Sequence, residues 1–209
     1  MQYSPPHPSR ILRSAMPSPK ILVIPGSLRT GSYNVRLAAL ATKELALADV
    51  DVTRISLADY PLPIYDADLA KSQLPENAIR LKQLVGSHGG IFIASPEYNA
   101  SMPALLKNVI DWVSVVRERD EPQLFTFQNR AFALGACSPG RSGGMQSLIT
   151  LRQVLAIGCR AFVVPEQVTV PNAAEAFDEN DELRDARAAA QLKLVIRKLI
   201  DYARMMGDR

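Results

Sequence analysis

The sequence predicts one α/β domain in which a five-stranded parallel sheet carries helices on both faces. Five short apolar segments alternate along the chain with segments of helical periodicity, and such alternation is typical of a parallel sheet covered on both sides. The 209 residues suffice for one well-filled core and are few for two. We therefore predict a single domain over residues 19–209, behind a disordered, proline-rich extension of residues 1–18.

The first half of the chain alternates three predicted strands with three predicted helices. The first strand is a continuous apolar run ended by Pro-Gly, which suits burial on both faces. The strands are predicted at 20–26, 49–60 and 90–96. The helices, with apolar residues at helical spacing, are predicted at 32–48, 74–86 and 101–116. Ser101 is the expected N-cap of the third helix.

The second half repeats this pattern, with strands predicted at 129–140 and 159–170 and helices at 144–158 and 185–207. The acidic segment 175–185 is expected to be a solvated loop. In a parallel sheet of this kind, ligands bind at the carboxyl ends of the strands, at the switch point of the strand order. We therefore expect a functional site in the loops that follow the first, third and fourth strands.

Composition excludes several classes of protein. The net charge of +3, without a run of Lys or Arg, gives no support for nucleic-acid binding. No apolar stretch approaches the roughly 20 residues of a membrane helix, so we expect a soluble protein with no membrane partner. No acidic residue precedes Glu44. This favours an anionic ligand, although chance and a basic tail explain it equally well.

Cysteine and histidine usage points to a cofactor as the carrier of any chemistry. Cys137 and Cys159 are the only cysteines, which suits a reduced, cytoplasmic setting, and both are expected to be buried small apolar side chains. His7 and His88 are the only histidines. Their positions suit neither a zinc site nor a Ser-His-Asp triad, so we predict no metal ion and no catalytic side chain.

The loop after the first strand, "PGSLRTGSYN" at 25–34, combines Gly, hydroxyl groups and Arg29. Backbone N–H groups at a helix start, together with hydroxyls and an Arg, suit a phosphate group. The loop matches neither GxGxxG nor the Lys-bearing P-loop, which favours a mononucleotide over a dinucleotide. An ordinary Gly/Ser turn is the alternative.

The other two loops are also unusual. "PEYN" at 96–99 offers an aromatic surface and polar groups, as a ring-shaped cofactor requires; a solvent-facing turn does not explain its Glu-Tyr pair. "CSPGRSGGMQS" at 137–147 consists of small residues that let the main chain approach a ligand, although a plain Gly loop explains it equally well. The coincidence of all three loops at strand ends is the stronger argument.

The segments "GSLRTGSYN", "PEYNASMPALLKNVIDW" and "SPGRSGG", in this order, resemble the NADPH-dependent FMN reductase family. That family has the flavodoxin-like fold and includes quinone, azo and chromate reductases. The resemblance covers roughly residues 20–200. It implies a flavodoxin-like three-layer sandwich and an oxidoreductase with bound FMN and NADPH, or NADH, as co-substrate. Ala104 stands where the family motif usually has Gly, and no loss is expected because Ala favours helices.

The resemblance also assigns FMN contacts within the three loops. Its phosphate and ribityl group would be held by Ser27, Arg29, Ser32, Tyr33 and Asn34. Its ring would lie along Pro96, Glu97, Tyr98 and Asn99. Its far edge would be closed by Ser138, Gly140, Arg141, Gly143 and Gly144. The hydride chemistry would be the flavin's own.

The resemblance further implies a ping-pong reaction and a homodimer or homotetramer. The electron acceptor would be a quinone, an azo compound, a metal oxyanion or free flavin. The third predicted helix and the charged segment "RERDEP" at 117–122 are candidates for a subunit contact, or are a solvated helix end. Two alternatives remain: a non-enzymatic electron carrier or FMN-binding regulator, although such carriers resemble acidic proteins, and an enzyme that binds a nucleotide without flavin.

Overall fold

The structure is a computed structural model that describes residues 18–118 and 120–207. Of the extension predicted for residues 1–18, only Ser18 lies within the described residues. Five strands form one sheet: β1 (Lys20–Pro25), β2 (Asp51–Arg54), β3 (Gly90–Ala94), β4 (Ala131–Cys137) and β5 (Phe162–Val170). All neighbouring strands are parallel, in the order β2-β1-β3-β4-β5. This is the flavodoxin-like order, which confirms the predicted fold class.

Helices cover both faces of this sheet. Among the described residues they are α1 (Tyr33–Leu47), α2 (Ala67–Ser72), α3 (Glu76–Gly86), α4 (Ala104–Val115), α5 (Phe125–Gln128), α6 (Met145–Gln153) and α7 (Ala186–Gly207). α1 and α7 pack on one face, and α3, α4 and α6 pack on the other. None of the described helices has both the length and the apolar character needed to cross a bilayer.

The strands are continuous apolar runs because both of their faces are buried. In β1, Ile21 and Val23 pack toward α1 and α7, whereas Leu22 and Ile24 pack toward the opposite helices. The same alternation holds in β3 and β4. A wholly apolar strand thus contributes side chains to the hydrophobic cores on both faces of the sheet, as expected for a parallel sheet.

Several predicted boundaries differ from the observed ones, and local hydrogen bonds explain two of these differences. The second strand was expected over 49–60, but β2 ends at Arg54 because Ser56 accepts the N–H of Ala58 and begins a 3₁₀ turn, Leu57–Asp59. Ser101 was expected to cap the third helix. Instead α4 begins at Ala104 after Pro103, and Ser101 pairs with Tyr98 in a short turn.

The acidic segment 175–185 was expected to be a solvated loop, and this was wrong in one respect. It packs along α1, where Arg36 pairs with Asp181 and places its guanidinium 4.2 Å from the centroid of the Phe177 ring. Phe177 itself is buried. The segment therefore supplies part of the core beside α1 and keeps only some of its acidic side chains in solvent.

The "RERDEP" segment, whose Arg119 lies outside the described residues, is tied to α3 of the same chain through Lys82. The buried Lys82 ammonium lies 2.8 Å from Glu118 Oε1 and 2.9 Å from Glu121 Oε2. Burial alone would lower the pKa of Lys82, but the two carboxylates outweigh it and the net shift is upward. Lys82 therefore remains charged, and Glu118 and Glu121 already have a partner within the same chain.

The outer strand β5 contains a bulge. Its register with β4 jumps between the pairs Phe132–Val163 and Leu134–Gln167. The Arg152 guanidinium covers this stretch and donates to the carbonyl oxygens of Val163 and Pro165, at 3.4 Å each, and to Gln167 Oε1 at 3.0 Å. The bulged main chain is thus bonded to a helix side chain of the same molecule.

Candidate functional site

A cleft of about 310 Å³ opens at the carboxyl ends of β1, β3 and β4, where the sequence predicted a site. It brings together Ser27, Arg29, Ser32, Tyr33, Asn34, Pro96, Glu97, Tyr98 and Ser138, with Cys137 and Pro139 in addition. The remaining predicted residues lie outside its lining: Asn99, Gly140, Arg141, Gly143 and Gly144. Cys137 and Pro139 were missed because neither residue type signals a ligand.

The start of α1 and the loop before it present hydrogen-bond donors to this cleft. Ser27 and Ser32 are buried, and Ser32 stands at the N-cap position without making a capping bond through its hydroxyl. Within the described part of the chain, the N–H groups of Tyr33 and Asn34 have no protein acceptor. Such free donors at a helix start bind anionic oxygens.

Arg29 adds a positive charge at the same end of the cleft. It is exposed, its guanidinium lies 5.4 Å from the centroid of the Tyr33 ring, and Nη2 donates to the carbonyl oxygen of Gly31 at 3.3 Å. None of these contacts is with a carboxylate. The charge of Arg29 is therefore available to an anion bound at the start of α1.

The second loop forms a tight turn that presents an aromatic ring. Tyr98 and Ser101 exchange two backbone hydrogen bonds of 3.0 Å. Between them Asn99 and Ala100 both have positive φ, 52° and 56°, as in a type I′ turn. The Tyr98 side chain is 52% exposed beside the cleft, so it offers a flat surface that this chain does not itself cover.

Glu97 and Asn34 are both turned toward other parts of the protein. Glu97 Oε2 accepts the N–H groups of Gln146 at 3.0 Å and of Ser147 at 3.4 Å, in the first turn of α6. The Asn34 amide is buried and bonded to the main chain of Cys137. Neither contact could be predicted from local sequence patterns, since the partners lie far along the chain.

The third loop lies directly against the sheet at Gly143 and Gly144. Gly143 and Gly144 have φ of +61° and +91°. A Cβ on Gly143 would lie 2.9 Å from main-chain atoms of Val170 and Pro171, and one on Gly144 would lie 2.6 Å from Ala136 Cβ. Because neither glycine has a side chain, the loop can lie directly against β4 and β5.

The thiols are not suited to chemistry. Cys137 and Cys159 are buried and unpaired, as expected. Burial raises the pKa of Cys137 to about 12 and that of Cys159 to about 11, so both stay protonated near neutral pH. Over residues 18–118 and 120–207, no three His, Cys, Asp or Glu side chains gather in a way that could hold a metal ion.

The strand order and the cleft at the switch point define a protein of the flavodoxin-like class. Comparison with known proteins narrows this class. The model of the NADPH-dependent FMN reductases matches residues 19–175, and the chain belongs to that family. The oxidoreductase class expected from the sequence, with FMN and NAD(P)H as its cofactors, is thereby confirmed.

Individual relatives agree with this assignment. An NAD(P)H-dependent FMN reductase of Pseudomonas aeruginosa is 32% identical over 189 residues, covering 90% of this chain and 96% of the relative. A quinone reductase of Escherichia coli is 35% identical over 138 residues, 65% of this chain and 69% of the relative. The solved structure of FerB, a flavoenzyme NAD(P)H:(acceptor) oxidoreductase from Paracoccus denitrificans, has a TM-score of 0.68 at 26% identity, covering 88% of this chain and 97% of FerB.

Proposed function

We propose that this protein binds FMN in the cleft described above and transfers electrons from NADPH to a small-molecule acceptor. The observation that carries the proposal is the start of α1. There the buried hydroxyls of Ser27 and Ser32 lie beside the N–H groups of Tyr33 and Asn34, which have no acceptor among the described residues. Four neutral donors and the positive end of a helix fit a dianionic phosphate, and Arg29 adds a full charge.

The rest of the cleft fits the flat ring of a flavin. Pro96 is buried in the wall and Tyr98 is exposed beside it, which together offer the apolar surface that a ring requires. We assign the ring to the loop 96–99. We assign its far edge to Ser138 and to the loop 140–144, whose main chain rather than its side chains would make the contact.

FMN, when bound, supplies the hydride chemistry, with electrons entering from NADPH and leaving to the acceptor in separate half-reactions. The residues of this chain bind and orient the cofactor and shield one side of it. The one thiol in the cleft, that of Cys137, is buried and stays protonated near neutral pH, so it supplies no thiolate there. Because one cleft serves donor and acceptor in turn, quinones, azo compounds, metal oxyanions and free flavin are all candidate acceptors. The E. coli quinone reductase supports a quinone.

We also propose a cytoplasmic homodimer or homotetramer. The two unpaired cysteines support a reducing compartment. Exposed apolar side chains along α6 and the turn after it, namely Met145, Ile149 and Ile157, support a contact between subunits. Light scattering on the purified protein at several concentrations measures the number of subunits directly.

The first test is the visible spectrum of the purified protein, followed by addition of NADPH without oxygen. A yellow protein that bleaches within its turnover time supports the proposal, and repeating the titration with NADH gives the preference between the two donors. A yellow protein that responds to neither donor favours an electron carrier or regulator. A colourless protein that cannot be reconstituted with FMN rejects the assignment and favours a nucleotide enzyme without flavin.

A matched pair of variants locates the phosphate. Ser32→Ala removes a buried hydroxyl from the start of α1, and we expect it to weaken FMN binding about tenfold or more, since a hydrogen bond to a charged group contributes about 1.5–3 kcal/mol. Ser72→Ala removes an exposed hydroxyl at the end of α2 that donates to Leu69 and is expected to bind FMN normally. Equal affinity in both variants contradicts the assigned position.

A further inference from the structure

Glu97 lies between the two residues that form the proposed ring wall, Pro96 and Tyr98, yet its carboxylate contacts α6. Oε2 accepts N–H groups from Gln146 and Ser147, at 3.0 and 3.4 Å. With its amide nitrogen turned toward the carboxylate, Gln146 donates a further bond of 2.8 Å to the same oxygen. Oε2 of the carboxylate is therefore bonded to the start of α6.

α6 has no cap of its own. Its N-cap position is Gly144, which has no side chain, so the N–H groups of the first turn need an acceptor from elsewhere. Glu97 supplies that acceptor across a separation of 49 residues to Gln146. A carboxylate at this place makes charge-assisted hydrogen bonds and also compensates the positive end of the helix dipole.

Further hydrogen bonds fasten the same loop to α6. The hydroxyls of Ser95 and Ser147 are 2.6 Å apart and buried, and the N–H of Met102 donates to Thr150 Oγ1 at 3.0 Å. The loop 95–102 is thus held at both ends, and Glu97 is its central attachment. Because the neighbours of Glu97 in the chain form the cleft wall, the position of that wall depends on this carboxylate.

We propose that Glu97 is a positioning residue for the flavin, acting through α6 rather than by touching the reacting atoms. It holds the wall formed by Pro96 and Tyr98 against α6, and its negative charge offsets the positive end of α6 behind that wall. This inference rests on the proposed function. The proposed role is electrostatic as well as structural. Without the charge of Glu97, the positive end of α6 would be uncompensated and would favour the extra negative charge of a reduced flavin.

Three variants separate these effects. Glu97→Ala removes the acceptor and the charge. Glu97→Gln keeps an acceptor oxygen and removes only the charge. Asp201→Asn makes the same change in net charge at an exposed position of α7. This position lies near the amino ends of the strands, where Ala203 packs beside Gly89. The measurements are hydrogen exchange at the amides of Gln146 and Ser147 in the apoprotein, the dissociation constant of FMN, and the midpoint potential of bound FMN.

For Glu97→Ala we expect exchange at both amides to accelerate about tenfold and FMN to bind roughly five- to tenfold more weakly, as for the loss of one helix cap. For Glu97→Gln we expect FMN affinity within about twofold of the wild type but a more positive midpoint potential. Asp201→Asn should match the wild type in all three measurements. If Glu97 were merely structural, removing only its charge would leave the midpoint potential of bound FMN unchanged.

Unchanged exchange in Glu97→Ala overturns the proposal, and so does an unchanged or more negative potential in Glu97→Gln. If Glu97→Ala does not fold, the potential of Glu97→Gln decides alone. A wild-type protein that binds no FMN overturns the proposed function. The exchange measurement needs no flavin and still shows in that case whether Glu97 caps α6, so the two failures are distinguishable.

Discussion

Asn34 and Cys137, 103 residues apart in the chain, are joined by a reciprocal pair of hydrogen bonds. Asn34 Nδ2 donates to the Cys137 carbonyl oxygen at 2.8 Å, and the Cys137 N–H donates to Asn34 Oδ1 at 2.9 Å. Both residues are buried. The side-chain amide thus continues the main-chain bonding of β4 where the strand ends and fixes α1 beside the cleft.

Replacing Asn34 by Ala leaves a buried N–H and a buried C=O of Cys137 without partners. We expect the free energy of unfolding to fall by about 2–4 kcal/mol, because each unpaired buried group costs about 1–3 kcal/mol. Urea denaturation measures this. Asn77→Ala, which removes one exposed bond to Pro61, is the control and is expected to change stability by less than about 0.5 kcal/mol. Similar losses in the two variants would contradict a special role for the pair.

Three Gly→Ala variants distinguish backbone strain from steric overlap. Gly140 has open surroundings, with its nearest neighbour at 3.8 Å, and G140A should be nearly neutral. Gly31 has φ of +69° and no atom within 4 Å, so G31A should cost about 1 kcal/mol of strain alone. Gly143 adds overlap with the main chain of β5 to a positive φ, and G143A should cost more than about 2 kcal/mol. Thermal denaturation ranks the three, and a different order refutes this account.

Ala100 is predicted to be a site where glycine stabilises the protein. Its φ of 56° lies in the left-handed region, which costs an L-residue other than Gly roughly 1–2 kcal/mol. Ala100→Gly should raise the free energy of unfolding by about 0.5–1 kcal/mol, after the greater entropy of Gly in the unfolded chain is subtracted. Ala190→Gly, at an exposed position of α7, should lower it by about 1 kcal/mol. A loss of stability in both variants would count against the strained turn.

The two buried thiols predict a loss of stability at alkaline pH. Burial raises the pKa of Cys137 from 9.0 to about 12 and that of Cys159 from 9.0 to about 11. Below about pH 9 the thiols are protonated in both folded and unfolded chains, so their contribution is fully present there. Above that pH only the unfolded chain loses these protons, and stability falls progressively toward the folded pKa values.

Urea denaturation at pH 8 and at pH 10.5 tests this prediction. The double variant Cys137→Ala/Cys159→Ala should show a smaller fall between the two pH values than the wild type, whatever its stability at pH 8. An equal fall in both proteins would show that other groups account for the alkaline loss. Thiol reagents should label the unfolded wild-type protein but not the native one, because both thiols are buried.

Most of the sheet was predictable because burial on both faces leaves a simple trace, a run of apolar residues such as Ile21–Ile24. Short elements left no such trace. α2 and α5 are six and four residues long, too short to show a helical period. The N-cap of α4 was missed because the bonds of Ser101 to Tyr98 are decided by the turn between them rather than by the helix that follows.

The location of the cleft was also predictable, since it depends on which loops follow which strands. The roles of individual side chains were not. Glu97 and Asn34 stand in motifs that suggest ligand contacts, but their polar atoms bond to α6 and β4. These contacts depend on how distant segments meet in space. Local sequence patterns carry no information about that.

The bulge in β5 limits how copies of this protein can join. An outer strand with regular free N–H and C=O groups can accept a strand from a neighbouring molecule. β5 contains Pro165, which has no N–H, and Arg152 binds two carbonyl oxygens of the same stretch. The opposite outer strand, β2, is only four residues long. Continuous sheets between molecules are therefore disfavoured at both edges, which leaves the helices and loops of the described residues as the favoured surfaces for any assembly.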